Sequence, residues 1–475
     1  MRSTSISKRL VIESVDAADV HFQWCWEFLR TPRKKLKSRQ AIFDFQVRLT
    51  TAFERLCTTY RAIKAAERRL IGRKSLYSAE WFDNRMAQLA QYRNVIIEAL
   101  GIGRCLGDGF AWVFYRNEPA LLEQHAMHQR QLLLPPGIGG IGERAFVEKL
   151  QGFEGNFVIY HGITSILRLG DVSFYDPSSG KIACVGELKT KHMGEDQYQI
   201  ALGIVAGDEK SLVIPPVDAA NDEQAIPLEP GVRETLNRQV KQISAAFTNK
   251  KKSKDDVRID MKTQFHHGIL AQVVGKSETR VVRFRQAGSG LTIGAWRPRK
   301  ISSLGRRLMR KTGPREKALK PVQDAALAIL SNELDDNCLF VSSLGNHDSG
   351  YPPMLTGTDP FFWWPLDAHI LYDIIFGYVI VMTAFNPAHL WAELRKRGFT
   401  VVVDKRSRVT TIHKEINGRQ MEVKNFDYFH QAVQHGLLSE EAALEIFDTW
   451  IDNAVTAAGT QSAKYGVRLR LHLHG

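Results

Sequence analysis

Residues 170–191, GDVSFYDPSSGKIACVGELKTK, place one aspartate, one glutamate and one lysine on two short alternating stretches around a turn. Carboxylates supply the hard oxygens a divalent cation takes, and an ammonium on the same face can hold a water or stabilise developing negative charge. Glu187 and Lys189 are two apart, so on a strand they share one face. Val172, Phe174, Ile182, Cys184 and Leu188 read as buried positions, and Pro177-Ser178-Ser179-Gly180 reads as the turn. The hairpin register decides whether Asp171 joins the pair. With Gly180 as a left-handed bulge residue, Pro177 pairs with Lys181 and Asp171 falls opposite Glu187. A turn one residue different sends Asp171 to the other face.

Four sections of chain surround and include this hairpin. Residues 1–130 are mostly helical: Ile42, Phe45, Leu49, Phe53, Leu56, Tyr60 and Ile63 recur at steps of three and four. Phe82, Met86, Leu89, Ile96 and Leu100 make a second stripe that starts near Ser78, a suitable N-cap. Such stripes are core faces, or the seam of a homodimer through the N-terminal helices. PPGIGGIGE at 135–143 ends this section. Residues 131–275 hold a short helix opening at Gly142-Glu143 and strands at 156–160, 165–175 and 181–189. A charged insertion follows at 206–230, then a helix from Val232 to Phe247 and an apolar strand, HGILAQVVG. Residues 276–335 read as a basic section of one hairpin followed by helices. Residues 336–475 alternate strands and helices, with a hairpin through Asn417-Gly418 and a closing helix from Ser439 to about Ala458.

The order of these parts resembles the PD-(D/E)xK nucleases, the restriction-endonuclease-like superfamily. The resemblance rests on Gly170-Asp171, the hairpin, and Glu187-Leu188-Lys189 closing an apolar strand. Glu143 on the preceding helix and Gln239 and Gln242 on the following one match the family's auxiliary positions. It covers roughly residues 141–275, under a third of the chain. It departs at Gly170, where the family name has Pro, and in the long insertion, which leaves Gln197 and Gln199 as nearer candidates for the glutamine.

The resemblance implies an α/β fold, a central mixed sheet of restriction-endonuclease-like type; the apolar spacing adds an α-helical N-terminal domain and a C-terminal α+β module. It implies Mg²⁺ or Mn²⁺ held by Asp171, Glu187 and the Leu188 carbonyl. Lys189 would hold or deprotonate a water, Glu143 would act as an outer ligand, and Gln239 would orient the phosphate or Lys189. The implied activity is hydrolysis of phosphodiester bonds, of DNA first, in restriction, phage defence or repair. The alternative is a non-catalytic nucleic-acid-binding protein that keeps a nuclease-like fold.

Charge agrees with a polyanionic partner. The net charge is +13, and residues 276–320 hold fourteen Lys or Arg against two Glu. Clustered cations beside structured segments are the footprint of a phosphate-backbone binder, which makes Arg297, Arg299, Lys300, Arg306, Arg307, Arg310 and Lys311 candidate contacts. PRKKLKSR at 32–39 is a second basic run. The five cysteines lie far apart with no CxxC, which argues for a reducing compartment and against a cysteine zinc site. No apolar leader opens the chain, and the most apolar run, 374–385, is too short to span a bilayer, so the expectation is a cytoplasmic protein that does not engage a membrane.

Other motifs compete. Asp404 and Glu422-Val423-Lys424 repeat the acidic-basic pattern, but an extra strand, VTTIHKEI, falls between them. Gly345-Asn346-His347-Asp348 resembles one box of the calcineurin-like phosphoesterases, without that family's other boxes. GIGGIG at 137–142 looks like a phosphate loop, yet no Lys-Ser or Lys-Thr follows and no strand precedes, so chain reversal accounts for it. His472 and His474 lie at a terminus.

Overall fold

The computed structural model describes residues 6–31, 38–126, 133–149, 152–153, 155–194, 197–206, 230–252, 265–279, 281–311, 324, 328, 339–344, 360–404, 410–416, 419–423 and 426–458. Within it are two compact units: Met1–Lys254 with Ser303–Met309, and Asp255–Ser302 with Arg310–Gly475. The fold is mixed α/β, with three antiparallel sheets among the described residues.

In the first unit, helices α1 (Lys8–Arg30), α2 (Arg39–Ile71) and α3 (Ala79–Tyr115) pack together. Each follows a serine whose hydroxyl accepts a first-turn N–H: Ser7 from Leu10, Ser38 from Ala41, Ser78 from Trp81. The stripe from Ile42 to Ile63 is buried except for half-buried Tyr60, and Phe45 stacks on Phe110 of α3 with centroids 4.3 Å apart. That face is therefore core within this unit. These helices share a unit with the hairpin instead of forming a separate domain. Gln46 of α2, itself buried, donates to the Val158 carbonyl at 2.9 Å and accepts from the Tyr160 N–H at 2.7 Å.

Helices α4 (Pro119–Ala126) and α5 (Gly137–Lys149) lead into a five-stranded sheet. Its strands are β1 (Gly152–Phe153), β2 (Asn156–Tyr160), β3 (Val172–Asp176), β4 (Lys181–Gly194) and β5 (Gln197–Ala206), and α6 (Pro230–Lys252) follows. The order is β1-β2-β3-β4-β5 with every pairing antiparallel, so the expected mixed sheet is instead a meander among the described residues. Short connections make neighbours of consecutive strands, and β5, unread in the sequence, supplies the partner of β4. The expected strand 165–175 is strand only from Val172, because the chain before it is a loop fastened by side chains of the helices.

The hairpin reaches its register by two compensating steps. Gly180 has φ +69°, and its N–H donates to the Asp176 carbonyl at 2.9 Å. The turn pairs Asp176 with Lys181, one residue away from the expected pairing of Pro177 with Lys181. Alone, that turn would send Asp171 to the wrong face. A bulge corrects it. Tyr175 pairs with Ile182 but Phe174 with Cys184, which passes over Ala183, and Ser173 and Val172 then pair with Val185 and Gly186. Asp171, just beyond the paired residues, is fastened to β4 through the Gly186 carbonyl and the Leu188 N–H, the residues on either side of Glu187.

The second unit holds α7 (His267–Gly275), β6 (Val282–Gln286), β7 (Leu291–Trp296), β8 (Phe340–Leu344), α9 (Ala368–Ile375) and β9 (Ile380–Phe385). It continues with α10 (Ala388–Lys396), β10 (Thr400–Val403), β11 (Thr410–Ile416), β12 (Arg419–Val423), α11 (Asp427–Gly436) and α12 (Glu440–Ala458). Helix α8 (Leu304–Lys311) carries residues of both units. The sheets run β6-β7-β9-β8 and β10-β11-β12. HGILAQVVG is helix α7, not a strand: Leu270, Val273 and Val274 are buried at helical spacing. The apolar run 374–385 is shared between the end of α9 and the fully buried β9, with left-handed Gly377 between them. No described helix is long and apolar enough to cross a membrane.

Close approach of α5 to β4 is what brings Glu143 to the hairpin. A Cβ on Gly142 would stand 1.8 Å from the Thr190 hydroxyl oxygen, and Thr190 is β-branched on a paired strand and has little room to move. Gly142→Ala should therefore lower stability by about 1–3 kcal/mol through overpacking, although alanine in a free helix gains about 1 kcal/mol over glycine. Urea unfolding checks this, and adding Thr190→Gly should restore much of the loss. A stabilised single variant would mean that α5 does not press on β4.

Candidate active site

The loop from His161 to Asp171 is built on α3 and α4. Arg104, 3% exposed, donates to the carbonyls of Gly162 and Thr164, the latter at 2.5 Å. Asp108, 4% exposed and one turn further along α3, accepts from the N–H groups of Ser165 at 2.5 Å and Ile166 at 3.1 Å, and from the Ser165 hydroxyl. Buried His125 of α4 accepts from the N–H groups of Arg168 and Leu169 at its Nδ1, both at 3.0 Å. His161 closes the loop. Its Nδ1 lies 2.9 Å from the Gly170 carbonyl, which only accepts, so Nδ1 carries the proton and Nε2 accepts from Ser173 at 2.6 Å. Ser173 in turn accepts from Tyr115 of α3. Burial pushes His161 down to about 4, keeping it neutral.

Gly170 explains the departure from Pro. Its φ is +70°, which proline cannot adopt, and a Cβ there would stand 2.7 Å from the Gly186 carbonyl oxygen. The Asp171 N–H then donates to that same carbonyl at 2.8 Å, and Asp171 Oδ2 accepts from the Leu188 N–H at 2.8 Å. In an antiparallel strand the N–H and C=O of one residue point the same way, so the Leu188 carbonyl also faces the β3 side.

Glu187 and Lys189 stand on one face of β4, with Lys189 Nζ 2.8 Å from Glu187 Oε1. Glu143 Oε2 accepts from the Tyr160 hydroxyl at 2.5 Å. Glu143 is in the second turn of α5, not at its opening, because the helix already starts at Gly137 within GIGGIG; this sequence is a helix N-terminus and not the expected reversal. Burial, with the charges of Glu187 and Glu143, pushes Asp171 up to about 8 against the opposing effects of the Leu188 N–H and Lys189. Burial and Glu187 also raise Glu143, while Tyr160 and Lys189 lower it. Three carboxylates share one poorly solvated site with one ammonium.

Gln239 lies on α6, which approaches the same strand pair. Gly203 pairs with Glu187, and a side chain there would meet Val240 and Leu236 at 2.8 and 2.9 Å. Gln239 is half-buried, and its Oε1 has no hydrogen-bond partner among the described residues. Gln242 is exposed, and the Gln197 and Gln199 side chains lie outside the described residues.

The basic candidates divide. Arg297 is engaged within its own unit, 2.7 Å from Asp373 and donating to Ser277 at 2.9 Å, and Arg307 is only 2% exposed, so neither offers a free surface cation. Arg299, Lys300, Arg306 and Arg310 are exposed, while the Lys311 side chain lies outside the described residues. Strand β11 lies between β10, which precedes Asp404, and β12, where Glu422 pairs with His413. The second acidic-basic pattern is thus split across three strands. Lys424, 345–348, His472 and His474 lie outside the described residues.

Sequence reasoning missed Arg104, Asp108, His125 and His161. A signal existed for the first two: charges four apart within the apolar stretch ALGIGRCLGDGFAWVF of a long helix.

Among the described residues no group of three or more His, Cys, Asp or Glu is gathered so that it could hold a metal ion. The donor chemistry fits a looser arrangement. Mg²⁺ is commonly held by one or two carboxylates and keeps several waters, and the raised proton affinity of Asp171 marks a site short of positive charge. No protein-family profile matches the chain, and no curated protein or solved structure matches it either.

The pH dependence of stability follows. An unfolded aspartate titrates near 4, so between about pH 4 and 8 the folded chain keeps a proton at Asp171 that the unfolded chain has released. Stability therefore falls as pH rises through this window. Raised Glu143 adds a slope of the same sign. Asp171→Asn should flatten the profile and be more stable than the parent at pH 8, as measured by urea unfolding across pH. An unchanged profile would place Asp171 in ordinary solvent.

Proposed function

We propose that the protein is a metal-dependent nuclease of PD-(D/E)xK type whose active centre is Asp171, Glu187 and Lys189. The observation that carries this reading is the fastening of Asp171 to β4 on either side of Glu187, through the Gly186 carbonyl and the Leu188 N–H, while Lys189 stands bonded to Glu187 on the same strand. When bound by Asp171, Glu187 and the Leu188 carbonyl, Mg²⁺ or Mn²⁺ would lower the pKa of a water and offset charge on the phosphate. Lys189 would position that water or accept its proton, and its charge would stabilise negative charge developing on phosphate oxygens. Glu143, held by Tyr160, would position the group from outside. Gln239 would orient the phosphate or Lys189. Arg299, Lys300, Arg306 and Arg310 are the exposed candidates for contacts to the DNA backbone.

Two observations favour the second reading, a nucleic-acid-binding protein without catalysis: Lys189 is closed onto Glu187, and no three metal-ligating side chains converge among the described residues. Plasmid cleavage separates the two. The parent chain should cut in Mg²⁺ or Mn²⁺ and stop in EDTA. Asp171→Asn and Lys189→Ala should each lose about a hundredfold or more, still binding DNA at low salt, whereas Asp404→Asn should cut normally. Binding with no cutting in either metal would select the second reading, and Asp404→Asn as the inactive variant would mean that the site lies elsewhere.

A further inference from the structure

The turn between α2 and α3 gathers exposed rings and cations. Ile71, Leu76, Tyr77 and Trp81 are four of the ten large apolar side chains that the described residues leave exposed, and all fall within residues 71–81. Single exposed apolar side chains are ordinary, whereas several together mark a surface that something else covers. The local structure accounts for their placement. Helix α2 ends at Ile71, one 3₁₀ turn (Lys74–Leu76) follows, and the Ser78 hydroxyl caps α3. Tyr77 stands just before that cap and Trp81 in the first turn after it, and their rings stack with centroids 4.4 Å apart at 26°. Even stacked, they remain 38% and 47% exposed.

The charge beside the rings is of one sign. Residues 68–79 hold Arg68, Arg69, Arg73 and Lys74 and no acid, and all four cations are exposed. Arg68 leans on the Lys64 carbonyl at 3.4 Å, and Lys74 lies 5.1 Å from the centre of the Phe82 ring. Arg69 and Arg73 have no side-chain partner among the described residues. Of the acids nearest in sequence, Glu67 is buried and paired with Lys64 and Arg93. Glu80 and Asp83 lie about 100° and about 160° round α3 from Trp81, so both stand away from its side of the helix.

Aromatic faces flanked by cations match what a single-stranded nucleic acid presents, unpaired bases that stack on rings and phosphates that pair with the cations. We infer that the α2–α3 turn binds single-stranded nucleic acid, with a base stacked on the Tyr77–Trp81 pair and phosphates at Arg69 and Arg73. The stack is what favours a strand over an anionic membrane. Rings already face to face continue into a base stack, whereas lipid chains gain from apolar area alone. This surface lies roughly 37 Å further along α2 than Gln46, the residue that bonds the sheet. The inference therefore does not rest on the chemistry proposed at Asp171.

Fluorescence anisotropy of a short labelled oligothymidylate, titrated with the full chain in EDTA, tests this without any cleavage. Trp81→Ala should weaken single-strand binding about tenfold, and Trp81→Phe should keep most of it. Binding to a duplex of the same length should not change, because its bases are already stacked on each other. Replacing Arg69 and Arg73 together by Gln should flatten the salt slope on the single strand by about 1.4. Sedimentation with phosphatidylserine vesicles should be the same for the parent and Trp81→Ala. A parent chain that does not bind the oligonucleotide, or an equal loss on single strand and duplex, would overturn the proposal. So would a loss of vesicle binding with oligonucleotide binding intact, which would assign the surface to a membrane. A lower melting temperature of Trp81→Ala with binding unaltered would also overturn it, reducing the stack to a fastening of α3.

Discussion

Arg104 and Asp108 are buried on one face of α3, four residues apart, and neither has bulk water to solvate it. Their charges are acceptable only because the loop from His161 to Asp171 folds over them and offers carbonyls to one and N–H groups to the other. The same constraint works in reverse on the loop, whose backbone groups would otherwise be buried without partners. His125 satisfies two more N–H groups, and the Tyr115–Ser173–His161 chain ties the loop's end to β3. Asp171 emerges from this loop with its direction already set. The helical layer is thus the support of the hairpin, not a separate appendage.

The acidic site that results is under electrostatic strain. Asp171 and Glu143 are both raised, largely by burial, and one lysine already bonded to Glu187 does not neutralise three carboxylates. Such a cluster persists because the surrounding packing holds it, as the tight contact of Gly142 with Thr190 and the left-handed Gly170 indicate. Groups with displaced proton affinities in a partly enclosed site concentrate at functional centres. A divalent cation is the chemistry that would relieve this one.

How much of this was legible in the sequence depended on how local the cause was. The Ser78 cap of α3, the apolar stripes of α2 and α3, the β6–β7 hairpin and helix α12 were readable because period and capping are short-range signals. Asp171 opposite Glu187 was readable only as one of two registers. Along β3 the turn and a bulge shift the pairing in opposite senses, and neither Gly180 nor Ala183 announces the bulge position. Helix α7 was misread because HGILAQVVG is short, apolar and rich in β-branched residues, where period does not separate strand from helix. The fates of Arg297 and Arg307 were illegible for another reason: Asp373 lies 76 residues from Arg297, and burial of Arg307 depends on tertiary packing.

The most direct test of the central claim is proton release on Mg²⁺ binding at pH 7, measured by isothermal titration in buffers of different ionisation enthalpy. With Asp171 raised to about 8, the free site is mostly protonated there. Binding a cation to the carboxylates must expel that proton, so close to one proton per ion should be released, and Asp171→Asn should release almost none. Mg²⁺ that binds without releasing protons, or that does not bind at all, would contradict the account of Asp171, Glu187 and Glu143 as one charge-deficient site.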